Sequence, residues 1–408
     1  MVPEGWKKKR LSDLADVTSG GTPSRTKSAY WGGDIPWVTT AEIRNGTITD
    51  TQEKITASGL ANSSAKLFPK GTILLAMYGE GKTRGQVALL GIDAATNQAC
   101  AAILPKENVS GEYLYHNLLG RYEEIRSLSN DGSQKNLSGG LVKSISILQP
   151  PRCEQEKIAR LLMTWDRAID NVESLIQNSE AQKRALMQKL LTATIRFERF
   201  ARQEWRHVRL QDIAEVLVSN VDKKSDPAQR SVRLCNYTDV YYNVHITSHL
   251  DFMMATATKS QIDKFSLRKG DVIITKDSET PDDIAVAAVV EEDLPGVLCG
   301  YHLALLRPHA NQTEGAFLRS LFSLKKTQHY FFTRANGATR FGLTIDAIRE
   351  AQFFIPPIEE QQGIAQVLRA CERTIENYKD QLARLKQQKK ALMQKLLTGK
   401  LRVKAQAA

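Results

Sequence analysis

The segment Ala185-Leu-Met-Gln-Lys-Leu-Leu-Thr192 recurs letter for letter as Ala391-Leu-Met-Gln-Lys-Leu-Leu-Thr398, so one supersecondary unit is present twice in this chain. Working back from the repeat without a gap, Pro150-Pro151 aligns with Pro356-Pro357, Glu154-Gln155 with Glu360-Gln361, and Ile158-Ala159 with Ile364-Ala365. Further upstream, Trp6, Arg10-Leu11, Asp13 and Val17 match Trp205, Arg209-Leu210, Asp212 and Val216 at a slightly shorter offset. The 408 residues therefore divide into two tandem halves of roughly 200, each a variable globular block followed by a nearly constant helical segment.

The helical segments carry a coiled-coil seam. In the first, apolar residues fall at Ile158, Leu162, Trp165, Ile169, Val172 and Ile176, then after two breaks at Leu186 and Leu190. The second repeats the ladder at Ile364, Leu368, Cys371, Ile375, Tyr378, Leu382, Leu385, Leu392 and Leu396. Steps of four and three give a repeat of about 3.5 residues, a narrow seam, and two seams in one chain can satisfy each other. Lys183 and Lys389 interrupt the ladder at equivalent rungs. There they either fix register through a polar seam contact or snorkel from a frayed helix end. Pro-Pro before each helix sets its start, and Glu154, Glu156, Glu359 and Glu360 put negative charge at the positive end of the dipole. Each helix should run for roughly 40 residues, about 60 Å.

The blocks read as mixed α/β. Apolar runs at 71–76, 86–90, 270–275 and 284–290 lie between Gly, Pro and Asn turns and predict strands, while 113–129 and 314–333 predict helices. A net charge of +11 and a pI near 9.3 favour a polyanionic partner. No apolar stretch has bilayer length and Met1-Val-Pro-Glu-Gly-Trp6 has no hydrophobic signal core, which predicts a soluble, cytoplasmic protein with no membrane partner. Cys100, Cys153, Cys235, Cys299 and Cys371 form no Cys-x-x-Cys pair and read as free thiols.

Catalytic signatures are sparse. Ala76-Met-Tyr-Gly-Glu-Gly-Lys82-Thr83 fits a loose phosphate-loop pattern, which opens the reading of a nucleotide hydrolase using Lys82. Against it stand Ala76 in the first glycine position, Arg84-Gly85 soon after, and no counterpart in the aligned stretch 276–283; a glycine-rich loop carrying Lys82 and Arg84 to a phosphate backbone fits better. There is no amino-methyltransferase Asp-Pro-Pro-Tyr or Asn-Pro-Pro-Tyr, no Gly-x-Gly-x-x-Gly, no Gly-x-Ser-x-Gly and no His-Glu-x-x-His. His245 and His249 have helical ligand spacing but sit in a β-leaning, Thr-rich stretch and read as surface histidines, so no metal site and no catalytic residue is assigned.

Nucleic-acid chemistry is better represented. The first block offers Thr22, Ser24 and Arg25 on one Gly-rich loop, Asn97 and Gln98 on a second, and Ser133, Gln134, Lys135 and Asn136 on a third, beside Lys82 and Arg84. The second offers Asn236, Tyr237 and Thr238, Tyr301 and His302, and Asn336, Thr339 and Arg340, with Lys276. Amide, hydroxyl and imidazole groups can bond base edges while the cations hold phosphates, although Gly/Asn/Ser loops are also ordinary turn chemistry. Basic runs at 196–206 and 386–404 are ordinarily solvated faces, but their place at corresponding helix ends favours a shared contact with DNA or an acidic partner.

The order Gly20-Gly-Thr-Pro-Ser24 with Gly33-Asp-Ile-Pro-Trp37, Lys269-Gly-Asp-Val272, Cys299-Gly-Tyr-His302, Pro-Pro-x-x-Glu-Gln twice, and Leu-Leu-Thr-Gly-Lys400 resembles the specificity subunit of type I restriction–modification systems over essentially the whole chain. The resemblance implies an α/β protein with two target-recognition domains, 1–151 and 198–356, separated by two long antiparallel coiled-coil helices, 152–197 and 357–400, with a tail at 401–408 and an internal pseudo-two-fold. It also implies a non-enzymatic role: reading the two halves of a bipartite, asymmetric double-stranded DNA target. Two modification (methyltransferase) subunits would carry S-adenosylmethionine and methylate adenine, with restriction (translocase and nuclease) subunits added for cleavage; this chain would hold no cofactor. The remaining alternative is a coiled-coil adaptor that binds protein and not DNA.

Overall fold

The computed structural model describes residues 2–79, 81–128 and 136–403, so Ser133, Gln134, Lys135 and the end of the tail lie outside the described residues. The chain forms two compact units: residues up to Ser174 with those from Lys379 onward, and Leu175–Tyr378. Each long helix is thus shared. The central helix, Arg152–Leu190, and the C-terminal helix, Ile358–Leu396, are 39 residues each, about 58 Å. Their ends fall short of 197 and 400 for a local reason: Ala193 (φ 58°) and Gly399 (φ 70°), at equivalent places in the repeat, turn left-handed and stop the helix.

In the first unit the main sheet runs Ala15–Ser19, Cys100–Pro105, Ile73–Ala76, Val87–Leu90, Thr47–Ile48, antiparallel except for its last, parallel pair. In the second it runs Ala214–Val218, Leu303–Pro308, Val272–Thr275, Ala287–Val290, His245–Ile246, with the same directions. The strand runs are continuously apolar because both faces are covered. Ile73, Leu75 and Ile103 face a core with Leu114 and Leu118 of the helix Gly111–Leu119; Leu74, Ala76 and Ala102 face a second core with Val38, Ile43 and Phe68. Val272, Ile274 and Leu306 repeat the first pattern against Phe317 and Leu321, and Ile273 and Leu305 the second against Leu234 and Val297. Each fully buried Ile or Leu contributes about 1.5–3 kcal/mol of transfer free energy.

The helical stretches expected at 113–129 and 314–333 are each broken in two: Gly111–Leu119 and Tyr122–Ser127, then Gly315–Leu321 and Lys325–Phe332. At the first break Gly120 lies close to Met393 and Leu397, so that a Cβ there would come within 3.2 Å of either side chain.

Each unit holds its own stretch of the seam, polar rung included. In the first unit Ile158 and Leu162 pack with Met393, Leu396 and the half-buried Leu392; in the second Leu190 and half-buried Leu186 pack with Ile364 and Leu368. Ile169, Val172, Ile176 and Ile375 are buried and Trp165, Tyr378, Leu382 and Leu385 half-buried. Between them sit the two lysines. Lys389 Nζ pairs with Asp166, and Lys183 Nζ lies 2.6 Å from Glu372, the same pair made once in each unit. Within each unit partners rise along one helix as they fall along the other, so the helix segments run antiparallel. Lys183 and Lys389 are not frayed ends; they fix register, because a slip of one residue would strand a buried charge.

Candidate nucleic-acid interface

Each globular block is clamped to a helix start by the same corner. Trp6 Nε1 donates to Glu154 (3.1 Å), whose carboxylate also takes two bonds from Arg402 (2.8 and 3.0 Å). In the second unit Trp205 Nε1 donates to Glu360 (3.2 Å) and Arg196 supplies the pair (3.0 and 2.6 Å). Burial would raise the Glu154 carboxyl, but Arg402 and Trp6 outweigh it and hold it below the usual range. The next residue bonds the block backbone: Gln155 accepts from Ser110 N and donates to Pro150 O, and Gln361 accepts from Glu314 N and donates to Pro356 O and Gln312 O. The Pro-Pro-x-x-Glu-Gln motif is therefore a buried docking device as well as a helix start with favourable dipole charges.

A second, charged contact lies further along the helix, at Glu372. Glu372 is bonded by Lys183 (2.6 Å), Arg319 (2.8 Å) and His245 (3.3 Å), and Glu291 takes His245 Nδ1 (2.7 Å) and Arg369 (3.2 Å). Burial opposes ionisation of Glu372, yet His245, Arg319 and Lys183 hold its carboxyl well below the ordinary range. Bonds to Glu291 and Glu372 raise His245 to about 9. His245 is thus an ion-pair partner and not the surface histidine read from the sequence; among the described residues no group of side chains could hold a metal. At the equivalent rung of the first unit Asp166 is pushed up by burial despite Lys389, and His116, 3.6 Å away, is lowered to about 3 by burial and by Lys389. That histidine is neutral, and its approach to Asp166 is no ion pair.

The sequence-selected loop residues fall at one end of each sheet. In the second unit Lys276 follows the strand Val272–Thr275, Tyr301 and His302 precede Leu303–Pro308, and backbone bonds from Lys276 N to His302 O (3.0 Å) and from Leu343 N to Lys276 O (3.0 Å) lace the two segments to the turn holding Asn336, Thr339 and Arg340. Tyr237, in a short helix capped by Asn236, joins them through its hydroxyl on Ser278 (3.2 Å), with Thr238 exposed beside it. Asp277, unselected from sequence, carries both Lys276 and His302. Tyr242, also missed, is 77 % exposed next to the stacked Tyr237 and Tyr241.

In the first unit Thr22 Oγ1 donates to Gln98 (2.5 Å), and Asn97 Oδ1 caps its own loop by accepting from Ala99 N (3.1 Å). Ser24 holds Trp31 Nε1 through its carbonyl (3.2 Å). Arg25 stacks 3.7 Å over Trp31 and is taken by both oxygens of Glu53, so its fork is already committed within the domain. Lys82 and Arg84 lie on the connection between the antiparallel strands Ile73–Ala76 and Val87–Leu90, with Tyr122 Oη on Lys82 O (2.7 Å). A strand follows Lys82-Thr83 and not a helix, so the helix N-terminus of a phosphate loop is missing and the nucleotide-hydrolase reading loses its geometric basis. Asn136 neighbours Leu137, whose N–H bonds Met77 O (3.0 Å).

The profile of the type I restriction modification DNA specificity domain matches residues 3–180 and again 202–387. The chain belongs to that family. The type I specificity fold spans it end to end: the MjaIX specificity subunit of Methanocaldococcus jannaschii is 29% identical over 98% of this chain and 95% of its own length. The EcoR124I/EcoR124II specificity subunit of Escherichia coli is 27% identical over 40% of this chain and 42% of its own. Among solved structures, a type I S subunit from M. genitalium superposes with a TM-score of 0.61 at 15% identity, covering 97% of this chain and 96% of the other. A chain from a type I system solved for its complex assembly and conformational transition gives 0.55 at 18% identity, covering 98% and 100%. Among the described residues no helix of this specificity protein is long and apolar enough to cross a membrane.

Proposed function

We propose that this chain is the DNA-reading subunit of a type I restriction–modification complex, acting on chromosomal DNA in the cytoplasm. Each block reads one half of a bipartite, asymmetric duplex target. The paired helices set the gap and dock two modification subunits, which bring S-adenosylmethionine and methylate adenine, and restriction subunits add cleavage. In this reading the chain supplies recognition and its partners supply the chemistry.

One observation carries the reading. A common frame, with the same sheet order and the same Trp–Glu–Arg corner, presents different side chains at equivalent loop positions: Met77, Tyr78 and Ala99 in the first block, Lys276, Asp277 and His302 in the second. A frame kept constant under exchanged tips is what two readers of unlike sequences require. Lengthening both helices by seven residues adds about 10.5 Å, close to three base pairs. The gap between half-sites should widen by about that amount while the bases read stay the same. Altered bases with an unchanged gap would overturn the assignment of the helices as spacers.

A further inference from the structure

The most organised polar group on the second block's tip is Lys276–Asp277–His302. Asp277 Oδ2 lies 3.0 Å from His302 Nδ1, and Lys276 Nζ pairs with the other oxygen. Gly342 makes room for the carboxylate, since a Cβ there would come 2.9 Å from Asp277 Oδ1. Asp277 is in turn fixed by its pairing across to Gly342 and by its N–H on His302 O. The imidazole is 40 % exposed and edges against Tyr301, itself 52 % exposed. Among the described residues nothing bonds its Nε2.

The frame shared by the two blocks does not include this group. The first block makes the same backbone lacing, Met77 N to Ala99 O and Leu137 N to Met77 O, with no cation, carboxylate or imidazole at the three corresponding positions. A role in the shared frame would be required of both copies; a role in reading sequence would not.

Resting on the function proposed above, we propose that His302 is a specificity-determining residue of the second half-site and that Asp277 is its positioning residue. A carboxylate only accepts hydrogen bonds, so in the neutral ring it holds the proton on Nδ1 and leaves Nε2 as an acceptor on a partly exposed ring. Acceptors on protein recognise the exocyclic amino groups of the major groove, N6 of adenine or N4 of cytosine. Lys276, balanced by the same carboxylate, keeps Asp277 from turning away.

The test uses the full chain with its modification subunit and duplexes carrying the target. At each position of the second half-site the amino group is deleted, with purine for adenine or 2-pyrimidinone for cytosine, or the N7 acceptor is deleted with a 7-deazapurine. At one position amino deletion should weaken wild-type binding about tenfold, and His302→Ala should be indifferent to it. In Asp277→Asn, Lys276 keeps the amide oxygen and the amide NH2 faces Nδ1, so the ring proton moves to Nε2. That variant should tolerate the amino deletion and become sensitive to a 7-deazapurine or to replacement of a guanine or thymine acceptor. First-half-site preference should be unchanged in both variants, which also reports that they fold. The proposal is overturned if wild type and His302→Ala respond alike at every second-half-site position, or if Asp277→Asn keeps the wild-type pattern. Failure of the wild-type complex to distinguish target from scrambled duplex would instead remove the underlying DNA-reading function.

Discussion

Glu372→Gln is the sharpest perturbation of the frame. Its carboxylate is 14% exposed and is shared by Lys183, Arg319 and His245, with Arg319 only 6% exposed. Removing one member of a buried ionic cluster costs about 3–5 kcal/mol, because the remaining charges stay desolvated. Glutamine keeps one acceptor and Lys183 is partly solvated, so about 2–4 kcal/mol is expected. For a cooperative unit of roughly 200 residues this lowers Tm by roughly 5–15 °C. Asp166→Asn removes the equivalent carboxylate of the first unit, where among the described residues Lys389 is the single ionic partner and His116 is neutral, so its cost should be about half as large. Calorimetry gives the two Tm shifts. Amide exchange along 358–372 should speed up in Glu372→Gln. A Glu372→Gln protein within about 0.5 kcal/mol of wild type, or one no less stable than Asp166→Asn, would refute the view that the charged rung holds the second block to its helices.

Other expectations follow from single groups. His245 has a folded pKa of about 9 against an ordinary 6.5, so its stabilisation is complete below about pH 6.5 and lost as pH rises through about 9. Discounted for partial exposure it amounts to about 1–2 kcal/mol, and the gap between wild type and His245→Asn in urea melts should close above pH 9.5; a gap that widens with pH would be wrong in sign. Gln361→Ala removes the partner of buried Pro356 O and of half-buried Glu314 N and Gln312 O and should cost about 1–3 kcal/mol in the same assay. Ala193→Gly should stabilise by about 0.5–1 kcal/mol, since Ala193 holds φ 58° where its repeat partner is Gly399; loss of stability would show that the turn tolerates alanine without strain.

The repeat and the seam were legible because duplication and period are properties of the chain itself. Both helix starts fall beside the Pro-Pro pairs, and the strand runs at 71–76 and 270–275 are strands because no other element suits short apolar segments covered on both faces. What could not be read was partnership. Glu154 and Glu360 announce only a favourable dipole charge, and nothing local says that Trp6 with Arg402, or Trp205 with Arg196, will close on them. Lys183 and Lys389 showed that the seam changes character without showing that Glu372 and Asp166 answer them. His245 looked solvated because Glu372, its far partner, is 127 positions away in sequence. On the loop tips, Asp277 escaped notice because a lone aspartate in a turn is ordinary chemistry, and Arg25, offered as a DNA contact, is committed to Glu53. The signal that could have found Asp277 was comparison of the two halves: it sits where an invariant frame carries exchanged side chains.

Two unlike readers on one repeated frame define a split target. Mapping methylated adenines across the genome of a host that expresses this chain with its modification subunit tests it directly. The expected map holds one motif made of two different half-sites with a fixed, unread gap between them, absent when this chain is omitted. A continuous or palindromic motif, or methylation that does not depend on this chain, would contradict it.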